Sequence, residues 1–185
     1  PVAAVSTGFP AGRSSFQTRK KEILNSINSG ADEIDIVINR SYVLRNEWQR
    51  LYDEVREFKE VAHGKKIKAI LGAGDVATLR NVAKASLVAM MAGADFIKTS
   101  TGKEKTNANL NNSLVMLRMI REFYQYTGKI SEEIKTIENV NFANLRYDGL
   151  GYEPAFVGVS DATDVSSSSN AFMGNSSVFI LQVVY

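Results

Sequence analysis

Residues 92–98, AGADFIK, repeat the pattern of residues 29–35, SGADEID, and each stretch sets a charged side chain among apolar ones. Gly30-Ala31-Asp32-Glu33-Ile34-Asp35 aligns on Gly93-Ala94-Asp95-Phe96-Ile97-Lys98. A third segment, GKKIK (residues 64–68), fits one residue shorter and sets Ile67-Lys68 on Ile34-Asp35. Lysine is rarely buried, because taking an ammonium out of water costs several kcal/mol unless it is paired or neutralised. The repeat therefore marks both a recurring strand and a recurring place for a charge.

Four short apolar runs carry the pattern: VAAVSTG (2–8), EIDIVIN (33–39), IKAILGAG (67–74) and DFIKTSTG (95–102). Their centres lie roughly 30 residues apart, the length of one βα unit. Between them, apolar residues recur at helical spacing. Trp48, Leu51, Val55 and Phe58 follow Asn46, read as an N-cap, and Gly64 closes that segment. Ile23, Leu24 and Ile27 precede Gly30; Leu79, Val82, Leu87 and Met90 precede Gly93; Leu114, Leu117 and Phe123 precede Gly128. Asn107 and Asn109 read as caps for the last of these helices, and Trp48 and the Met90–Met91 pair as core. Strands alternating with helices predict a parallel α/β sheet.

Strand alternation sorts the faces. Ile34, Ile36 and Ile38 share one side of their strand and Asp35 and Asn39 the other; Ile67, Ala69 and Leu71 lie opposite Lys68. In a barrel the apolar side meets the outer helices. Asp35, Lys68 and Lys98 are then expected at equivalent depth on successive strands, converging on the axis near the end where such barrels hold their active sites. Two lysines in one pocket repel, so one gives up its proton more easily, and desolvation acts in the same direction. A neutral lysine amine is the nucleophile of imine chemistry on carbonyl compounds. A carboxylate working through water supplies the proton transfers that imine formation needs.

Composition narrows the rest. The 185 residues are 44% hydrophobic and 23% charged, an ordinary globular balance in a chain of single-domain length. A net charge of +2, interspersed along helices, predicts no nucleic-acid partner. No apolar run reaches the roughly 20 residues of a membrane span, and the first residues do not resemble a signal peptide. The absence of cysteine removes disulfides and thiolate zinc sites and suits a reducing compartment. His63, the one histidine, sits before Gly64 at a helix end and lacks partners for a metal site. TGKEKT (101–106) fails as a phosphate-binding P-loop, since Ile97 stands where a glycine is needed and Glu104 where Ser or Thr is needed. STGFPAGRSS (6–15) reads as a turn between strand and helix.

GADEIDIVIN, IKAILGAG and above all AGADFIKTSTGK closely resemble deoxyribose-phosphate aldolase, and VAAVSTGFPAG and NRSYVL resemble its animal-type branch. The resemblance spans about residues 1–129. It implies a (β/α)8 TIM barrel that cleaves a small phosphorylated sugar, 2-deoxy-D-ribose 5-phosphate, into glyceraldehyde 3-phosphate and acetaldehyde, in deoxyribonucleoside breakdown in the cytoplasm, with no metal or cofactor. It also implies Lys98 as the imine-forming residue, Asp35 as proton donor and acceptor, and Lys68 as an electrostatic and proton-relay neighbour. Thr101 and Lys103 would lie in the loop facing the substrate's phosphate.

The resemblance stops after Gly128. Residues 1–129 are expected to form a partial barrel core of about four βα units, and residues 130–185 a divergent tail, partly loop or disordered. The family continues into a strand bearing G-[FY]-K-P-A-G-G, whose lysine is a second catalytic residue, and into a Gly-Ala-Ser phosphate loop. Here GYEPAFVGVSD (151–161) faintly echoes the first, with Glu153 in the lysine's place. VFILQVVY (178–185) reads as a strand with no obvious partner. The chain opens on Pro1 rather than Met, as a fragment would. An open barrel exposes strand edges, so the isolated chain is expected to be either marginal in stability or a homo-oligomer, and to show little turnover alone. The competing readings are a non-catalytic family member with an interaction role and a transaldolase-like enzyme; the TSTGK run after Lys98 argues against the latter.

Overall fold

The computed structural model describes residues 1–127 and 180–182. Strands β1 (Ala3–Ser6), β2 (Glu33–Val37), β3 (Lys66–Ile70), β4 (Phe96–Lys98) and β5 (Ile180–Gln182) form one sheet in that spatial order, every neighbouring pair parallel. Helices α1 (Phe16–Asn28), α2 (Arg40–Leu44), α3 (Trp48–Val61), α4 (Leu79–Met91) and α5 (Leu110–Thr127) complete the described elements. All five residues of β2 are buried, as in a strand covered on both faces. Every described helix except α3 begins where a short polar side chain takes up an orphan amide, Asn39 serving α2 by accepting from Ser41 N–H. Ser15 accepts from Thr18 N–H, Thr78 from Asn81 N–H and Asn109 from Asn112 N–H.

One sheet face meets the helices. Ile34, Ile36, Ile38, Ile67, Ala69, Leu71 and Ile97 pack against Ile23 of α1, Leu51, Val55 and Phe58 of α3, and Val82, Ala85 and Ala89 of α4 in a single cluster. The opposite face carries the charges, as strand alternation predicts. Asn46 does not cap α3: it takes a left-handed turn at φ 58° on leaving the short helix α2, and α3 starts at Trp48. Asparagine tolerates that conformation better than most residues. Met90 is core, but Met91, one step round the helix, is 62% exposed.

The register corrects the reading of depth. Asp35 pairs with Lys68 as expected, but Lys68 pairs with Phe96, and Lys98 lies opposite Ile70. Lys98 thus stands two residues further along the sheet than the internal repeat implied. The expected boundary at residue 129 lies just beyond α5. The readings of Glu153 and of the tail lie outside the described residues, except that the terminal apolar run does have a partner, since β5 pairs with β4.

A buried ion pair locks the C-terminal ends of β1 and β2. Arg19 is 2% exposed; its Nη1 meets Glu54 Oε1, its Nε donates to Thr7 O at 3.1 Å and its Nη2 to Val37 O at 2.5 Å. Glu54 Oε2 accepts from Asn39 N–H at 2.9 Å. Burial nevertheless pushes the Glu54 carboxyl above its ordinary range, outweighing the pull of Arg19 and of the Asn39 amide. A carboxyl raised on folding lends stability that is fully present at low pH and is lost as pH rises through its folded value. The urea-midpoint advantage of the unaltered protein over Glu54→Gln should therefore shrink as pH rises from about 4 to about 7. A widening gap would show that the pairing with Arg19 outweighs burial.

Candidate active site

The helix-averted face of β2, β3 and β4 holds four charges in a row. Lys98 Nζ lies 2.7 Å from Asp35 Oδ2, and Lys68 Nζ lies 3.7 Å from Asp35 Oδ1. Lys68 Nζ also meets Glu33 Oε2. The order is Glu33, Lys68, Asp35, Lys98, alternating in sign as it climbs toward the C-terminal end of the strands. The side chains are 5%, 4%, 7% and 12% exposed, so Lys98, at the top, is the most accessible. Asp35 Oδ1 is buried and makes no hydrogen bond among the described residues. The Phe96 ring lies beneath, its centroid 5.4 Å from Lys68 Nζ.

Barrel shear explains how Lys98 reaches Asp35 from the wrong register. In an eight-stranded barrel of shear 8, a plane across the axis advances about one residue per strand. From Asp35 on β2, such a plane passes β3 between inward-facing residues and meets β4 two places beyond Phe96's row, at Lys98. Lys68 then falls midway between Glu33 and Asp35, and it contacts both. Strand alternation and this offset together place the four groups.

The sequence reading brought Asp35, Lys68 and Lys98 together correctly and missed Glu33. Its signal was present: Glu33 stands two residues before Asp35 and so shares its face. Its effect is electrostatic. Two cations now face two anions, where the sequence reading had counted two lysines against one carboxylate. Glu33→Gln would leave a buried ammonium with one carboxylate 3.7 Å away. Breaking a buried pair from one side typically costs about 3 kcal/mol or more, which urea denaturation would register. An unchanged midpoint would show that Lys68 does not rest on Glu33.

The two remaining sequence candidates occupy the loop after β4. Thr101 is buried, and its hydroxyl donates to Glu104 Oε2 at 2.7 Å while its amide donates to the same carboxylate at 2.9 Å. Lys103 is exposed, its amide donating to Thr101 Oγ1 at 3.2 Å. Among the described residues, the side-chain hydrogen bonds of this segment run to Glu104 and Thr101 and not to the four-charge row. The loop after β1, read as a turn, does more than connect strand and helix, because its Pro10 and Ala11 carbonyls accept from Arg40 at 3.5 and 3.3 Å. Among the described residues no group of three His, Cys, Asp or Glu side chains could hold a metal ion, and no helix is long and apolar enough to cross a membrane.

Comparison with known proteins meets this geometry from the other side. Residues 3–125 match the model of the DeoC/LacD family aldolases. The chain is 54% identical to human deoxyribose-phosphate aldolase over 128 residues, which cover 69% of this chain and 40% of the human protein. It is 39% identical over 158 residues to a protein from Caenorhabditis elegans named as a putative deoxyribose-phosphate aldolase, covering 82% of this chain and 52% of the relative. The chain thus spans about half the length of these relatives or less. Among solved structures, a deoxyribose-phosphate aldolase, so described with reserve, from Toxoplasma gondii superimposes with a TM-score of 0.65 at 27% identity, covering 76% of this chain and 50% of that one. These neighbours are TIM-barrel aldolases, and the parallel sheet described above is part of that barrel. The matched residues take in β1 to β4, most of α5 and all four charges of the row, and the chain belongs to the DeoC/LacD aldolase family.

Proposed function

We propose that this chain carries the imine-forming part of a class I aldolase site, which cleaves 2-deoxy-D-ribose 5-phosphate to D-glyceraldehyde 3-phosphate and acetaldehyde. The observation that carries this reading is the 2.7 Å contact between Lys98 Nζ and Asp35 Oδ2, nearly dry and facing the barrel interior at the end of β4. We take residues 1–129 as the barrel portion that houses the chemistry, acting in the cytoplasm in deoxyribose phosphate breakdown.

In this scheme Lys98 Nζ, having passed a proton to Asp35, adds to the C1 carbonyl of the open-chain sugar. The carbinolamine oxygen takes up a proton and leaves as water, giving the iminium. Removal of the C3 hydroxyl proton breaks the C2–C3 bond, and the bonding pair moves onto C2 to make an enamine while glyceraldehyde 3-phosphate departs. C2 then accepts a proton, water adds to the iminium carbon, and acetaldehyde leaves with Lys98 restored. The iminium is itself the electron sink, so the scheme calls on no cofactor. Asp35 is the proton carrier: Oδ2 faces the amine, and Oδ1 is uncommitted to any hydrogen bond among the described residues. Lys68, braced by Glu33, holds the other side of Asp35 and relays protons. Thr101 and Lys103 serve the phosphate end.

Borohydride added to the protein with 2-deoxyribose 5-phosphate should fix a reduced adduct on a single lysine, read by mass spectrometry. No adduct at all would sink the reading. An adduct without free acetaldehyde in a parallel incubation lacking borohydride would identify a chain that reaches the imine and stops there, as a non-catalytic family member would.

A further inference from the structure

The loops at the C-terminal ends of β1 to β4 meet at one side chain. Arg40 leaves the end of β2 at the first position of α2. Its Nη1 donates to Asp75 Oδ2 at 2.8 Å, in the loop after β3, and to Glu104 Oε1 at 3.3 Å, in the loop after β4. Its Nη2 donates to the Pro10 and Ala11 carbonyls in the loop after β1. Glu104, its side chain 2% exposed, turns this charge inward, since both carboxylate oxygens accept from the Thr101 amide and Oε2 also from the Thr101 hydroxyl. Thr101 Oγ1 in turn accepts from the Lys103 amide.

Two glycines make room for this junction. A Cβ on Gly72 (φ +62°) would lie 2.6 Å from Arg40 Cδ, and one on Gly74 would lie 2.0 Å from the Thr106 carbonyl oxygen. The loop after β3 is thus pressed against both Arg40 and the loop after β4. A planar guanidinium suits such a hub, because its donors diverge in a fixed plane where an ammonium offers a single point.

We infer that Arg40 and Glu104 are a positioning pair that fixes the four loops as one rim and thereby sets the Thr101–Lys103 segment at the distance needed to receive a phosphate. The phosphate part rests on the aldolase reading above; the rim does not. Glu104 is the internal strut and Arg40 the tie. Neither touches the reacting carbon, so the pair acts on binding of the phosphorylated end and leaves the amine chemistry to Lys98.

Hydrogen–deuterium exchange on the full 185-residue chain tests the rim without any substrate. Arg40→Met should speed exchange at least ~10-fold in peptides covering residues 8–14 and 99–107 together, with peptides from β2 and β3 unchanged. Acceleration confined to the peptide containing Arg40, or none, would overturn the inference. Should the β2 and β3 peptides also loosen, Arg40→Lys decides the matter. It keeps the charge but cannot serve two carboxylates and two carbonyls, so residues 8–14 should still exchange faster than in the unaltered protein, and unchanged exchange there would overturn the rim. The phosphate part is read by borohydride trapping with 2-deoxyribose 5-phosphate and with 2-deoxyribose, which differ only in the phosphate. In Arg40→Met the half-saturating concentration should rise at least ~10-fold for the phosphorylated sugar and less than ~3-fold for the other. A parallel rise for both would reduce Arg40 to a general structural role. Absence of any adduct in the unaltered protein would count against the aldolase reading and leave the exchange result to judge the rim.

Discussion

Lys98→Arg should abolish the adduct that borohydride traps from acetaldehyde, lowering its rate of formation at least ~1,000-fold, in a protein that keeps its fold. Loss of a covalent nucleophile commonly costs this much or more. Arginine is the informative replacement. It preserves the cation that Asp35 meets at 2.7 Å, so the buried carboxylate keeps a partner, but a guanidinium holds its proton under all accessible conditions and forms no imine. Lys68 is the rival nucleophile. It is less accessible, with 4% of its side chain exposed against 12% for Lys98, and it is held between Glu33 and Asp35. Peptide mapping of the reduced adduct separates them, and a modified Lys68 with a clean Lys98 would reverse the assignment.

Asp35→Asn should slow, by about 100-fold, the exchange of acetaldehyde's methyl hydrogens for deuterium, while borohydride still traps acetaldehyde on Lys98. This half-reaction needs the imine and a group that takes and returns a proton at the carbon next to it. It needs neither a phosphate site nor the second product, so it isolates the residues that β2 to β4 supply. Asparagine has nearly the same shape as aspartate and cannot carry the proton. The substitution also removes the anion between two lysines, leaving Glu33 as the one carboxylate of the row. Proton NMR in deuterium oxide follows the methyl signal directly. Exchange at a rate close to the unaltered protein's would exclude Asp35 as the proton carrier.

The sequence made the sheet legible because each βα unit repeats the same signals. An isoleucine ladder at 34, 36 and 38 and its counterpart at 67, 69 and 71 announce strands with one face on helices, and all six are fully or almost fully buried. The faces of Asp35, Lys68 and Lys98 followed from alternation alone. Their heights did not, because hydrogen-bond register and height along a barrel axis differ by the shear, which no single strand encodes. Lys98 lies opposite Ile70 and still meets Asp35. Glu33 was legible by the same alternation, since it stands two residues before Asp35. Arg40 and Glu104 could not be read as a pair: 64 residues separate them, and they meet because loops from consecutive units crowd one end of the barrel. The cap of α3 was misplaced for a local reason, since Asn46 takes a left-handed turn after α2 and leaves Glu47 at the cap position.

The strands neighbour one another in the order in which a ribosome makes them. Each pairing of β1 to β4 closes a loop of only about 30 residues, so the cost of bringing partners together stays low and the sheet can grow unit by unit. Glu33, Asp35, Lys68 and Lys98 all belong to these consecutive units, and the Arg40–Glu104 tie is complete a few residues later. A nascent chain that has emerged as far as α5 therefore already holds every member of the charge row. Among the described residues the charge row therefore rests on contacts between consecutive units alone, and its charges balance one another within β2 to β4.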